Sequence, residues 1–345
     1  MVVTPLREAG DVALRSLARP VAGALGTLRS GTLRPRAGAP KVGWEIVNLD
    51  FDGRALRYRV TDNVDAHGPR GPGDPPIWAM SLHGYFAGGS MYARESEILA
   101  ARFGWRVVNP SLPGFGGSDP FSWPEISMDH LSEQIDLVKT HLEITGPMLL
   151  LGHSMGAAVA MHYTSRNADD VLGILYRDGV ATPAWQQRRG AVARLLAGTL
   201  PDVAPVADMV AAVALDLPDL LAGHVLATIR AMIPDLRHNV RTFARSAPVA
   251  SMLMSLDLSD DVRSVRDQGV PVLAEWGCFD RLIPPATADE FAEVAGMDVH
   301  WVPGGHSWML ARPSGQADVL SRMSWGREFL VAVDARAAAL RSRGV

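Results

Sequence analysis

Between residues 42 and 183 the apolar positions fall into short runs. Trp44–Asp52 and Ala55–Val60 alternate apolar and polar residues on either side of Asp52-Gly53. A two-sided alternation around an Asp-Gly pair predicts a β-hairpin. Residues 62–76 (DNVDAHGPRGPGDPP) are rich in Gly, Pro and Asp and predict an exposed loop. The pattern then alternates. Strands are predicted over Ile77–Leu82, Arg106–Asn109, Met148–Leu151 and Val171–Tyr176, with helices over Met91–Ala101, Met128–His141 and from the end of the third strand to Arg166. Short apolar strands alternating with helices predict an α/β fold, a mostly parallel sheet with helices on both faces.

The alternation breaks at residue 184. Residues 184–262 read as almost entirely helical, rich in Ala, Leu, Val and Met and punctuated by Pro201, Pro218, Pro234 and Pro248. Strand and helix resume at Val270–Trp276, Ala286–Ala295 and Asp298–Val302, and a final helix is predicted over Ser321–Ala339. The expected organisation is an α/β core of residues 42–183 and 263–345, a helical cap of residues 184–262, and a distinct segment 1–41. Arg7, Arg15, Arg19, Arg29, Arg34, Arg36 and Lys41 outnumber Glu8 and Asp11 in that segment, and Leu14, Leu17, Val21, Leu25 and Leu28 recur at helical spacing. Two readings fit it: a basic amphipathic helix on a membrane surface, or a helix packed on the domain or frayed from it, the commoner fate of a terminus. Its arginines interrupt any compact apolar centre of a secretory signal.

Composition narrows the partners. Apolar residues are 48% and charged residues 20% of the 345, ordinary for a soluble globular chain. The net charge is −4, and no long basic run follows residue 41, so nucleic acid is excluded as the expected partner. Cys278 is the single cysteine, which rules out an internal disulfide and a cysteine-based metal site. It fits a reducing compartment, so a cytoplasmic location is expected, with peripheral membrane contact only through residues 1–41. No apolar run approaches the roughly 18 residues of a membrane-spanning helix.

The candidate chemistry starts at Met148–Gly156, MLLLGHSMG. A buried strand runs into Gly152-His153-Ser154-Met155-Gly156 and a helix-compatible stretch follows. That is the strand–turn–helix context of a G-x-S-x-G nucleophile elbow. The glycines leave room beside a sharp turn that lifts the serine hydroxyl out of the sheet. The Met155 amide then lies at a helix N-terminus, where partial positive charge favours a developing oxyanion. The stretch Ser81-Leu82-His83-Gly84-Tyr85-Phe86 follows an early strand, and the Tyr85 amide is the candidate second donor. Each such donor is typically worth about 3 kcal/mol in the transition state.

A serine hydroxyl needs a base, and the base needs an orienter. His306 lies in Val302-Pro303-Gly304-Gly305-His306-Ser307-Trp308, a loop after a predicted strand, and is the expected base. His83 and His153 fall inside the motifs and are expected to point elsewhere. Asp280, after the strand Pro271–Trp276, is the favoured orienter. Asp178, in Tyr176-Arg177-Asp178-Gly179 after the preceding strand, is its rival.

With these residues in order, the chain resembles the α/β-hydrolase superfamily, in particular its cap-bearing esterase, lipase and C–C hydrolase branch. The stretches that carry the resemblance are LHGYF, NPSLPGFGGSD, GHSMG, WGCFDRLIPP and PGGHSWM, within residues 77–310. The resemblance implies an eight-stranded, mostly parallel sheet with a helical cap between the sixth and seventh strands, and the chain order Ser154, Asp280, His306. Ser111 stands where relatives often carry Asp, and Ala157 where a second Gly is frequent. Ser154 separates the chain from the members with an Asp nucleophile, and His153 stands where ring-cleavage C–C hydrolases often carry Asn. The expected activity is hydrolysis of a small hydrophobic carboxylic ester, without cofactor or metal. Met209, Met232, Met252 and Met254 of the cap would line an apolar pocket or simply fill its core. C–C bond hydrolysis and cofactor-free perhydrolysis of the haloperoxidase type are the alternatives within the enzyme class. A non-catalytic small-molecule binding module is the alternative outside it.

Overall fold

The computed structural model describes residues 42–51, 53–63, 76–119, 126–187 and 225–344. Segment 1–41, most of the predicted loop at 62–76 and residues 188–224 of the predicted cap, including Met209, lie outside the described residues.

One eight-stranded sheet organises the chain. Its strands are β1 (Trp44–Phe51), β2 (Arg54–Thr61), β3 (Trp78–Leu82), β4 (Arg106–Pro110), β5 (Met148–His153), β6 (Val171–Arg177), β7 (Val272–Gly277) and β8 (Val299–Val302). Their order across the sheet is β1-β2-β4-β3-β5-β6-β7-β8. The predicted hairpin is present: β1 and β2 pair antiparallel, Trp44 opposite Thr61. β2 is also antiparallel to β4, and every later pair is parallel.

Strands β5 and β6 are buried along their whole length, as their continuous apolar runs demand. Helices α1 (Ala93–Phe103), α2 (Met128–His141) and α3 (Met155–Arg166) fill the crossovers in the first half. Ser127 caps α2, its hydroxyl accepting from the His130 amide. After β6 come α4 (Val225–Arg241), α5 (Phe243–Leu253) and α6 (Ser259–Asp267). Helix α7 (Pro285–Ala295) joins β7 to β8.

Two apolar layers sandwich the sheet. Leu82, Leu150, Ile174, Tyr176 and Trp276 face a layer built with α2, α3 and α7. Leu149, Leu151, Leu175 and Leu273 face the other, built with α1 and the C-terminal helices. Met252 and Met254 pack against the first layer and so contribute to the core.

The end of the chain differs from expectation. The helix predicted over Ser321–Ala339 is divided into α8 (Gly315–Arg322) and α9 (Ser324–Ser342). Met323 between them is extended, with φ −77° and ψ 144°. Gly326 lies so close to the Val319 carbonyl that a Cβ would collide with it. Apolar periodicity runs through this corner because both helices bury a face against the same layer, so the period alone does not reveal the bend.

Candidate active site

The carboxyl ends of β3, β5, β6, β7 and β8 converge on one edge of the sheet. Among the described residues four non-glycine side chains adopt positive φ, and three of them, Phe86, Ser154 and Asp178, lie on this edge. Backbone strain of that kind persists where surrounding structure enforces it, and it concentrates at functional sites.

Strand β5 delivers Ser154 into φ 53°, ψ −117°. The Ser154 amide donates to the Arg177 carbonyl at 2.9 Å, tying the turn to β6. A Cβ on Gly152 would collide with the Ala157 backbone, and one on Gly156 with the Leu82 carbonyl. These approaches need glycine, and they let α3 begin immediately after Ser154. As a first-turn amide, Met155 N–H lacks an intrahelical acceptor. Ser154 is 6% exposed.

The loop after β3 lies against this turn. A Cβ on Gly84 would come within 3.2 Å of Ser154 Cβ and of His153 Nδ1. The Gly84 amide donates to the Tyr92 hydroxyl at 3.2 Å. Gly84 N–H is therefore committed to Tyr92. His83 underpins the loop. Its Nε2 accepts from the Leu112 amide at 2.8 Å, so Nδ1 carries the proton and donates to the Gly84 carbonyl, also at 2.8 Å. Burial lowers the His83 pKa to about 4, so it stays neutral.

Helix α4 is fastened to the same loop. Asn239 donates to the Phe86 and Ala87 carbonyls at 2.9 and 2.8 Å and accepts from the Gly116 amide at 2.8 Å. One turn earlier, Asp235 accepts from the Ser90 amide at 2.9 Å and the Ser90 hydroxyl at 2.8 Å. From α5, Ser246 meets the Tyr85 hydroxyl at 3.0 Å. The segment between β6 and β7 thus holds the Tyr85 side chain and the backbone that follows it.

On the far side, the loops after β7 and β8 are zipped together. Cys278 N–H donates to the Val302 carbonyl and Phe279 N–H to the Gly304 carbonyl, each at 2.9 Å. The contact brings Asp280 and His306 into register. His306 Nδ1 lies 2.9 Å from Asp280 Oδ2; a carboxylate only accepts, so Nδ1 carries a proton and donates it. Asp280 Oδ1 accepts from the Leu282 and Ile283 amides at 2.7 and 2.8 Å. Asp178, the rival orienter, accepts instead from the Gly277 amide at 2.7 Å and from Trp308 Nε1 at 2.9 Å. His306 is joined to the elbow through His153. The two rings stack obliquely at 4.7 Å, and His153 Nε2 donates to the His306 carbonyl at 3.0 Å. Asp178, Asp280 and His306 also form a group with metal-like spacing, their ligand atoms within 4.8 Å of one another. The donors already directed at the two carboxyls make it a hydrogen-bond cluster.

Beneath the elbow lies a buried polar layer that the sequence pattern did not reveal. Arg177, fully buried, meets Glu95 at 2.5 Å and leans on the Gly152 carbonyl at 3.3 Å. Glu275, beside it on β7, is pushed up to about 8 by burial. A single charged residue in each otherwise apolar strand, last in β6 and fourth of six in β7, was the available signal for Arg177 and Glu275. For Asp235 and Asn239 the signal was polar spacing of four in a helix whose face was unknown. Tyr92 carried none.

The model of the alpha/beta hydrolase family matches residues 81–319. Over 91 residues the chain is 34% identical to the magnesium-chelatase 30 kDa subunit of Rhodobacter capsulatus, covering 26% of this chain and 31% of that protein. Over 95 residues it is 34% identical to the pimeloyl-[acyl-carrier protein] methyl ester esterase of Chromobacterium violaceum, covering 28% of this chain and 34% of the esterase. The chain thus spans about a third of the length of these relatives. A solved enol-lactonase from Burkholderia xenovorans superimposes with a TM-score of 0.60 at 19% identity, over 83% of this chain and all of that one. That likeness carries the fold.

Proposed function

The chain belongs to the alpha/beta hydrolase family, and we propose that it is a serine hydrolase of hydrophobic carboxylic esters with Ser154 as nucleophile. The observation that carries this reading is the Nδ1–H bond from His306 to Asp280, made on a loop that packs against the Ser154 turn. In this reading Ser154 Oγ attacks the ester carbonyl while His306 Nε2 takes its proton. Asp280 holds the imidazole tautomer and stabilises the imidazolium. The Tyr85 and Met155 amides receive the oxyanion. The tetrahedral adduct collapses, His306 returns the proton to the departing alcohol, and the acyl group remains on Ser154. Water, deprotonated by His306, then releases the acid and restores the serine.

The esterase relative supports an ester as the bond cleaved. The apolar character of the segment between β6 and β7 supports a hydrophobic substrate. Replacing Ser154 by Ala is expected to lower turnover of a p-nitrophenyl ester on the order of 10⁶-fold and to abolish labelling by a fluorophosphonate. Retained turnover overturns the reading. A protein of this fold that bound a small molecule without turnover would leave wild-type Ser154 unlabelled by the same probe.

A further inference from the structure

Asp178 and Asp280 sit side by side, fully and almost fully buried, with a carboxyl oxygen of each within 4.8 Å of the other. Two ionised carboxyls cannot share such a place cheaply. The donors around them are unequal. Asp280 receives two amides on Oδ1 and the imidazole N–H on Oδ2. Asp178 receives one amide and the Trp308 indole N–H, one on each oxygen. We infer that Asp178 is the protonated member of a carboxyl pair and donates its O–H to Asp280, acting as a positioning residue for the Asp280–His306 couple. The inference rests on the serine-hydrolase reading for its purpose but not for its measurement.

Among the described residues, few titratable groups face Asp178. Asp280 comes from the loop after β7 and His306 from the loop after β8. Tyr176, on its own strand, is close enough to couple to it. Arg177, next in the chain, turns to Glu95 on the other side of the sheet. Burial, and then the charge of Asp280, hold the Asp178 carboxyl well above the usual range. The consequence concerns His306. A doubly charged pair would bind the imidazolium so firmly that His306 would be protonated at neutral pH and unable to act as a base. One shared proton leaves a single negative charge, enough to fix the tautomer.

The test follows the titration of His306 by NMR in the full chain labelled with ¹⁵N-histidine. The resonance is assigned by its loss in His306→Gln, and no substrate is needed. Asp178→Asn keeps a neutral donor, so the His306 midpoint is expected within roughly 0.3 pH unit of wild type. Asp178→Ala removes a donor from Asp280, leaves its charge less shared, and is expected to raise the His306 midpoint by about half a unit or more. A fall in either variant means Asp178 was ionised, and an unmoved midpoint in the alanine variant means it was merely structural; both overturn the inference. If the alanine variant does not fold, infrared spectroscopy in a Glu275→Gln background decides. A protonated-carboxyl band at neutral pH that Asp178→Asn removes supports the inference, and its absence overturns it. Loss of the hydrolase reading would appear separately, as absent turnover and labelling with these titrations intact.

Discussion

The hydroxyl of Tyr92 lies 2.5 Å from Nδ1 of His153, and this contact couples the two loops that flank Ser154. The Gly84 amide donates to Tyr92, Tyr92 donates to His153, and His153 donates through Nε2 to the His306 carbonyl. Every partner is buried. Burial, reinforced by the neighbouring His306, lowers the His153 pKa well below its ordinary value, which keeps the ring neutral and the direction of the chain fixed.

Tyr92→Phe preserves the ring and removes the middle of that chain. The Gly84 amide and His153 Nδ1 are left buried without this partner. Stability should fall by about 1–3 kcal/mol. Because the loop after β3 and the His306 loop lose their common tie, kcat should fall about tenfold with KM little changed. Urea denaturation and steady-state kinetics on a p-nitrophenyl ester check both; unchanged kcat would show that the relay positions nothing.

Asn239 gives a second handle on the loop after β3, through the Phe86 and Ala87 carbonyls. Asn239→Asp is nearly isosteric and still accepts from Gly116 N–H. It cannot donate to the Phe86 and Ala87 carbonyls, and it sets a carboxylate against them. If those two bonds aim the Tyr85 amide, the variant loses part of an oxyanion donor. A kcat loss of roughly 10- to 100-fold is expected, with KM close to wild type. A rise in KM at constant kcat would instead assign Asn239 to substrate binding.

Much of this site was legible beforehand because its parts obey local rules. The elbow is a five-residue pattern between a strand and a helix, and crowding at Gly152 and Gly156 is the reason for that pattern. Chain order and a glycine loop sufficed to nominate His306. The choice between Asp178 and Asp280 turned on which carboxyl a loop presents to Nδ1, and strand order alone cannot decide that. Both residues end buried in one cluster, so the two readings were each partly informative. The relay through Tyr92, the grip of Asp235 and Asn239, and the Arg177 layer depend on contacts across 60 to 150 residues of sequence. No local periodicity encodes such contacts. The bend at Met323 escaped for the opposite reason: two helices share one apolar face, and the period runs on across the corner.

The polar layer under the elbow should set the alkaline side of the stability profile. Glu275 is fully buried, and its carboxyl titrates near pH 8 when folded against an ordinary value of 4.5. Between these limits the unfolded chain has released the proton and the folded chain retains it. Stability therefore falls as pH rises from about 4.5 to about 8 and levels off above, when both states are ionised. At pH 7 the accumulated cost is on the order of 3 kcal/mol. Glu275→Gln keeps the shape and removes the titration. The variant should match the wild type near pH 4.5, gain about 3 kcal/mol over it at pH 7, and gain no more beyond pH 8. His83 works on the acid side. Its folded pKa of about 4 lies below the ordinary 6.5, so stability is complete above pH 6.5 and is lost as pH falls toward 4, equally in variant and wild type. Urea denaturation from pH 5 to 9 separates the two contributions. A constant offset between Glu275→Gln and wild type would mean that Glu275 is ionised throughout and paired with Arg177, and the layer would then carry a second buried carboxylate beside Glu95.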